Sequence, residues 1–253
     1  MILRRRPALR FGRHLADPAG QPGGDRIGGG RAEPQPLIPT GTRRGDPDTA
    51  APLAAEAVAL ARRIGTPTVM AGSLSALATV LADRDPERAR ALLRESLDVS
   101  AAAHDTSTSL VTQATLTAAR FGDALWALEL ATVAIPRLAW DGLWPQLAGV
   151  LNVVAWAATA EPDAAAVLQG AARRLALSGD SRSATQQTPT AGRAPTDGDA
   201  GLIRVLRREA TDRIASSLGE ARLRELRADG EAMDTDSAVR FSLAAVERMS
   251  IRA

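Results

Sequence analysis

Ala89-Arg90-Ala91-Leu92-Leu93-Arg94-Glu95-Ser96-Leu97 is the stretch on which the fold of this chain turns. Ala89, Leu92, Leu93, Ser96 and Leu97 fall at the spacing that gathers them on one face of an α-helix, leaving the arginines and the glutamate on the others. The same pattern, Ala-x2-apolar-apolar-x2-small-small, is met as Ala50, Leu53, Ala54, Ala57 and Val58, again as Ala124, Ala127, Leu128, Ala131 and Thr132, and again as Ala164, Val167, Leu168, Ala171 and Ala172. Successive copies begin 39, 35 and 40 residues apart. A helical stripe recurring at that interval marks stacked helix pairs, each burying its apolar face on its neighbours.

Partner helices lie between the copies. Met70, Leu74, Leu77, Ala78 and Leu81 make one stripe, and Leu147, Val150, Leu151, Val154 and Ala158 another. The periodicity predicts helices over 51–64, 67–82, 86–103, 107–121, 123–139, 145–159 and 162–177, then over 200–217, 219–229 and 236–249. Thr66-Pro67 and Asp85-Pro86-Glu87 each set an oxygen-bearing N-cap before a proline at the first helical position, where the missing N–H costs nothing, and Pro162 stands in the same role. Pro136 falls inside its helix and is expected to kink or end it.

Composition agrees with helices. The chain is 45% hydrophobic but only 3% aromatic, with no tyrosine, so its interior is built from alanine and leucine at close helix contacts. It has no lysine, and all 31 basic residues are arginine. Nine arginines and five acids lie in residues 1–49, leaving 22 arginines and 24 acids in the rest. The excess positive charge belongs to the N-terminal tail, and the near-neutral body does not carry a nucleic-acid-binding face. The absence of cysteine excludes disulfides, thiolate catalysis and cysteine-ligated metal. Arg4, Arg5 and Arg6 are followed by Pro7, Arg10 and Arg13, which interrupt any signal-peptide core, and no apolar run of ~20 residues is present. A cytoplasmic protein without a membrane span is expected by default.

Four regions follow. Residues 1–49 are a disordered Arg/Gly/Pro-rich tail, 50–177 hold the helix-pair repeats, 178–199 are a flexible polar insertion, and 200–253 form C-terminal cap helices.

Two stretches go beyond generic repeats. Val167-Leu168-Gln169-Gly170-Ala171-Ala172-Arg173-Arg174-Leu175 is the first. Leu218-Gly219-Glu220-Ala221-Arg222-Leu223, with Ala228-Asp229-Gly230-Glu231-Ala232-Met233 and Ser237-Ala238-Val239, is the second. Together they resemble the C-terminal tetratricopeptide-like sensor region of bacterial STAND-type regulators, which include LuxR-type transcriptional regulators and adenylate-cyclase-like ATPases. The resemblance covers roughly residues 50–250 and is most specific in 165–175 and 217–245. It implies an all-α, TPR-like helical repeat, an α-solenoid with a C-terminal helical cap, that receives a signal from a protein partner or small effector in its groove. A Walker A loop needs a lysine, and the chain has none. The sequence also ends at Ala253 without room for a helix-turn-helix after the last cap helix. The sensor arm alone is therefore the expectation: no enzyme, no cofactor and no metal. The alternatives are nucleic-acid association through the arginine-rich tail, and a remnant of an ATPase- or cyclase-like enzyme whose catalytic domain is encoded elsewhere.

The residues that could carry chemistry mostly read as structural. His104, followed by Asp105, is expected in a solvated turn and not in a nucleophile relay. Asp234-x-Asp236 and Asp83-x-Asp85-x-Glu87 could be taken for metal ligands, but each precedes a helix and is read as capping. The glycine-rich stretch from Gly23 to Gly30 has neither a strand before it nor a helix after it, as a phosphate cradle would require, and is read as linker. Arg62, Arg63, Arg173 and Arg174 are read as helix-end cations. Trp126, Trp140, Trp144 and Trp156, with Phe121 beside them, all lie within 31 positions. They are either a locally enlarged core around Pro136 or the anchors of a binding groove, and they are the candidate partner-binding residues.

Overall fold

The computed structural model describes residues 47–104, 106–183 and 197–252. Over these residues the chain is all-α and contains ten helices: α1 (Pro47–Ile64), α2 (Pro67–Leu81), α3 (Pro86–Ala102), α4 (Thr108–Arg120), α5 (Ala124–Trp140), α6 (Trp144–Ala157), α7 (Pro162–Ser183), α8 (Asp197–Leu218), α9 (Glu220–Ala232) and α10 (Thr235–Arg252). Each predicted segment holds one of them. The helices run three or more residues further than periodicity suggests at five places: α1 starts at Pro47, α7 reaches Ser183, α8 starts at Asp197, α9 reaches Ala232 and α10 reaches Arg252. The expected polar insertion thus narrows to 184–196, which lies outside the described residues, as do residues 1–46 of the expected tail.

The repeated stripes are α1, α3, α5 and α7. In α3 all five pattern positions are buried, and Ser96 donates from Oγ to the Ala71 carbonyl of α2 at 2.7 Å. In α1 the stripe is only partly covered: Val58 is buried while Leu53 remains 47% exposed. That is what an end helix with a neighbour on one side shows.

Two layers follow from the contacts. The even-numbered helices are neighbours in order, α2 on α4, α4 on α6 and α6 on α8, while α3, α5, α7 and α9 pack along them. The even layer is the more enclosed. Every residue of α6 from Leu147 to Trp156 is buried, as expected of a helix that is apolar all round. The last helix does more than extend the stack. α10 packs on both α5 and α7, which hardly touch each other, so it fills the furrow between two repeats.

Turn chemistry sets the hairpins. After α4, Gly122 (φ 71°) donates to the Ala119 carbonyl, and Asp123 donates back to Ala118; after α5, Gly142 (φ 68°) and Leu143 repeat this with Ala139 and Leu138. Both are Schellman endings, which need a left-handed residue. His104 holds the same position after α3, with φ 53° and its N–H on the Ala101 carbonyl.

Pro136 does not end α5, which continues to Trp140. Pro136 and Thr132, whose carbonyl loses its donor, both face solvent, where water takes the place of the missing bond. Among the described residues no helix is long and apolar enough to cross a membrane.

Candidate functional site

The two stretches that carry the family resemblance meet in space. Gly170 of α7 and Gly230 of α9 face each other's backbone: a Cβ on Gly170 would overlap the Arg227 carbonyl oxygen, and one on Gly230 would overlap that of Val167. No larger residue fits at either position. α7 and α9 pack as extensively as the helices of the closest hairpins, α2 with α3 and α6 with α7.

A polar seam runs beside the crossing, where each of three helices contributes two residues one turn apart. They are Gln169 and Arg173 from α7, Arg207 and Thr211 from α8, and Arg227 and Glu231 from α9. Gln169 is 5% exposed. Its amide nitrogen donates to the Arg207 carbonyl and to Thr211 Oγ1, both at 3.3 Å. Arg227 donates from Nε to Gln169 Oε1 at 3.0 Å and from Nη2 to the same oxygen, and Nη2 also reaches Thr211 Oγ1 at 2.7 Å. Thr211 Oγ1 in turn donates to the Arg207 carbonyl at 2.7 Å. Burial lowers the pKa of Arg227 most, Arg207 and Arg173 lower it further, and Glu231 partly opposes them. Glu231 itself accepts from Arg173 Nη1 at 3.0 Å.

A cleft of about 360 Å³ opens where the start of α7 meets α10. Pro162, Ala164, Val167 and Phe241 line its apolar part, and Arg248 Nε donates to Glu161 Oε2 at 3.3 Å on its rim.

The four tryptophans lie on two consecutive helices, Trp126 and Trp140 on α5 and Trp144 and Trp156 on α6. Trp126 of α5 is 6% exposed, with the Arg94 guanidinium of α3 5.0 Å from its ring centre. Trp156 of α6 is 9% exposed and donates from Nε1 to Glu209 of α8 at 3.1 Å. Trp140 and Trp144 flank the turn at Asp141–Leu143; Trp144 is half-buried and Trp140 is 91% exposed. Trp126 and Trp156 are thus buried against different neighbours, and Trp140 is the most exposed of the four.

The other candidates take up structural posts. Asp85 Oδ1 accepts from the Arg88 N–H at 3.1 Å, and Asp234 Oδ1 from Ser237 N–H at 2.7 Å, both as helix N-caps. The bonds from Ser237 hold the Asp234 carboxyl below its ordinary pKa. Asp83 takes both ends of the Arg120 fork, and Arg62 pairs with Glu95 at 2.9 Å. Among the described residues no three His, Asp or Glu side chains gather as metal ligands. The glycine-rich stretch from Gly23 to Gly30 and Asp105 lie outside the described residues. The seam was not legible in the sequence: its one advance signal was Gln169-Gly170 within the first family-like stretch. No family model, no curated protein and no solved structure matches the chain.

Proposed function

We propose that this chain is a non-catalytic helical-repeat interaction module, related to the sensor region of STAND-type transcriptional and signalling regulators, that binds a protein partner or small effector. One observation supports the reading above others. The stretches that resemble that region, distant in sequence, form one backbone-to-backbone crossing at Gly170 and Gly230. Trp140 adds a contact point, since a tryptophan left 91% exposed is the kind of side chain that anchors interfaces.

The test uses the full chain with a photo-crosslinking amino acid at position 140, in cells of its source. A discrete adduct is expected that excess unlabelled chain competes away, and that the Trp140→Ala chain competes ~10-fold less well. Loss of that difference, or nucleotide hydrolysis by the purified chain, overturns the reading.

A further inference from the structure

We propose that the seam joining α7, α8 and α9 is a binding site for a phosphate dianion, free or as a small phosphomonoester, held by the guanidinium groups of Arg173, Arg207 and Arg227. The argument begins with Arg227. Its hydrogen-bond partners, Gln169 Oε1 and Thr211 Oγ1, are both neutral. Several other arginines are answered by carboxylates: Arg90, whose side chain is 21% exposed, has Glu87 at 2.6 Å, and Arg120 has both oxygens of Asp83. At Arg227 the neighbouring helices bring two more guanidiniums instead. Glu231 is the one acid of the group and is already bonded to Arg173. Three arginines against one glutamate leave two positive charges on a half-buried seam.

Such an arrangement costs stability when empty, because burial and like charges both disfavour the cationic form. A dianion reverses both terms, and it would take the donors these bonds leave over: Nη1 of Arg227, Nε and Nη2 of Arg173, and the Arg207 fork, which can match two oxygens at once. The site is also preorganised. Gln169 is locked by the Arg207 carbonyl and Thr211, so the Arg227 fork is held before any ligand arrives. Arg207 is exposed, and its side chain makes no hydrogen bond or ion pair among the described residues. Its backbone carbonyl is fixed by Gln169 and Thr211, and its charge acts on Arg227. The charge is local and the body is near neutral, with 22 arginines and 24 acids beyond residue 49, which favours a small anion over a nucleic-acid backbone. The site stands on this geometry whatever partner the module binds.

The experiment titrates inorganic phosphate into the full chain at constant ionic strength set with chloride, reading heat and thermal midpoint together. Saturable binding and a rising Tm are expected, since a ligand that binds only the folded state stabilises it. Arg207→Gln, which removes no side-chain bond of the fold, is expected to weaken phosphate about tenfold. Arg208→Gln, also exposed and next in sequence, is the control and should leave affinity unchanged. A parallel titration with phenyl phosphate separates the sources: tighter binding than inorganic phosphate assigns a phosphomonoester, and weaker binding assigns the free ion. No saturable binding overturns the proposal. So does an Arg207→Gln chain that gains stability from charge relief yet binds phosphate as before, because the seam is then purely structural.

Discussion

At the crossing of α7 on α9, two glycines let backbone meet backbone, whereas from α3 to the end of α4 and to α5 the gap is spanned by long side chains. Arg90 lies 5.1 Å from the Phe121 ring centre and Arg94 lies 5.0 Å from that of Trp126, while α3 touches α4 only lightly. Arg90 Nε is buried there without an acceptor. The crossing has no room to adjust, since any side chain added at either glycine overlaps a carbonyl oxygen. The α3 junction has slack, because guanidinium stacking on a ring tolerates shifts that close packing does not. Local opening should therefore begin on the α1–α3 side of the body, with amide exchange slowest in α6 and in α7, which packs between α6 and α9.

The strongest challenge to this contrast is Gly230→Ala. The methyl group must push α9 off Val167, and the expected cost is about 3 kcal/mol, outweighing the better helix propensity of alanine. Urea unfolding reads it directly. A midpoint equal to or above that of the parent chain would mean that the crossing is loose and the comparison false.

A smaller effect of opposite sign is expected at the α3–α4 turn. His104 occupies the left-handed position that Gly122 and Gly142 hold in the next two connections, so His104→Gly should stabilise the chain by about 1 kcal/mol. A loss of stability in the same unfolding assay would show that the imidazole makes a contact that outweighs its backbone strain.

The smallest change is expected for Arg94→Met, which keeps the aliphatic packing over Trp126 and removes the charge. A cost of about 0.5 kcal/mol is expected, with a shift in tryptophan emission as the ring loses its cation. A cost of about 3 kcal/mol or more would make the junction as rigid as the crossing.

Much of the architecture was readable in advance, and particular residues show why. Asp85 caps α3 and Pro162 opens α7 where the spacing put them, since caps depend on atoms three or four residues apart. Thr66 shows the limit: Pro67 begins α2 as expected, but the threonine side chain makes no capping bond. Pro136 does not stop α5, and the proline and Thr132 one turn before it both face solvent. Trp126 and Trp156 stand close in sequence, yet α5 sets one against Arg94 of α3 and α6 sets the other against Glu209 of α8. The seam escaped notice because Gln169, Thr211 and Arg227 stand on three helices, and i, i+4 spacing names a face without naming what it meets.

Local pattern carried the helical class, the number of helices, most of their ends and their buried sides, because those rest on interactions within a turn or two of chain. Long-range packing settled where α10 lies, how near α7 comes to α9 and which oxygens hold Arg227. Contacts of that kind depend on the shape of surfaces brought together from far apart in the chain, and a single methyl group at Gly170 or Gly230 would change the answer.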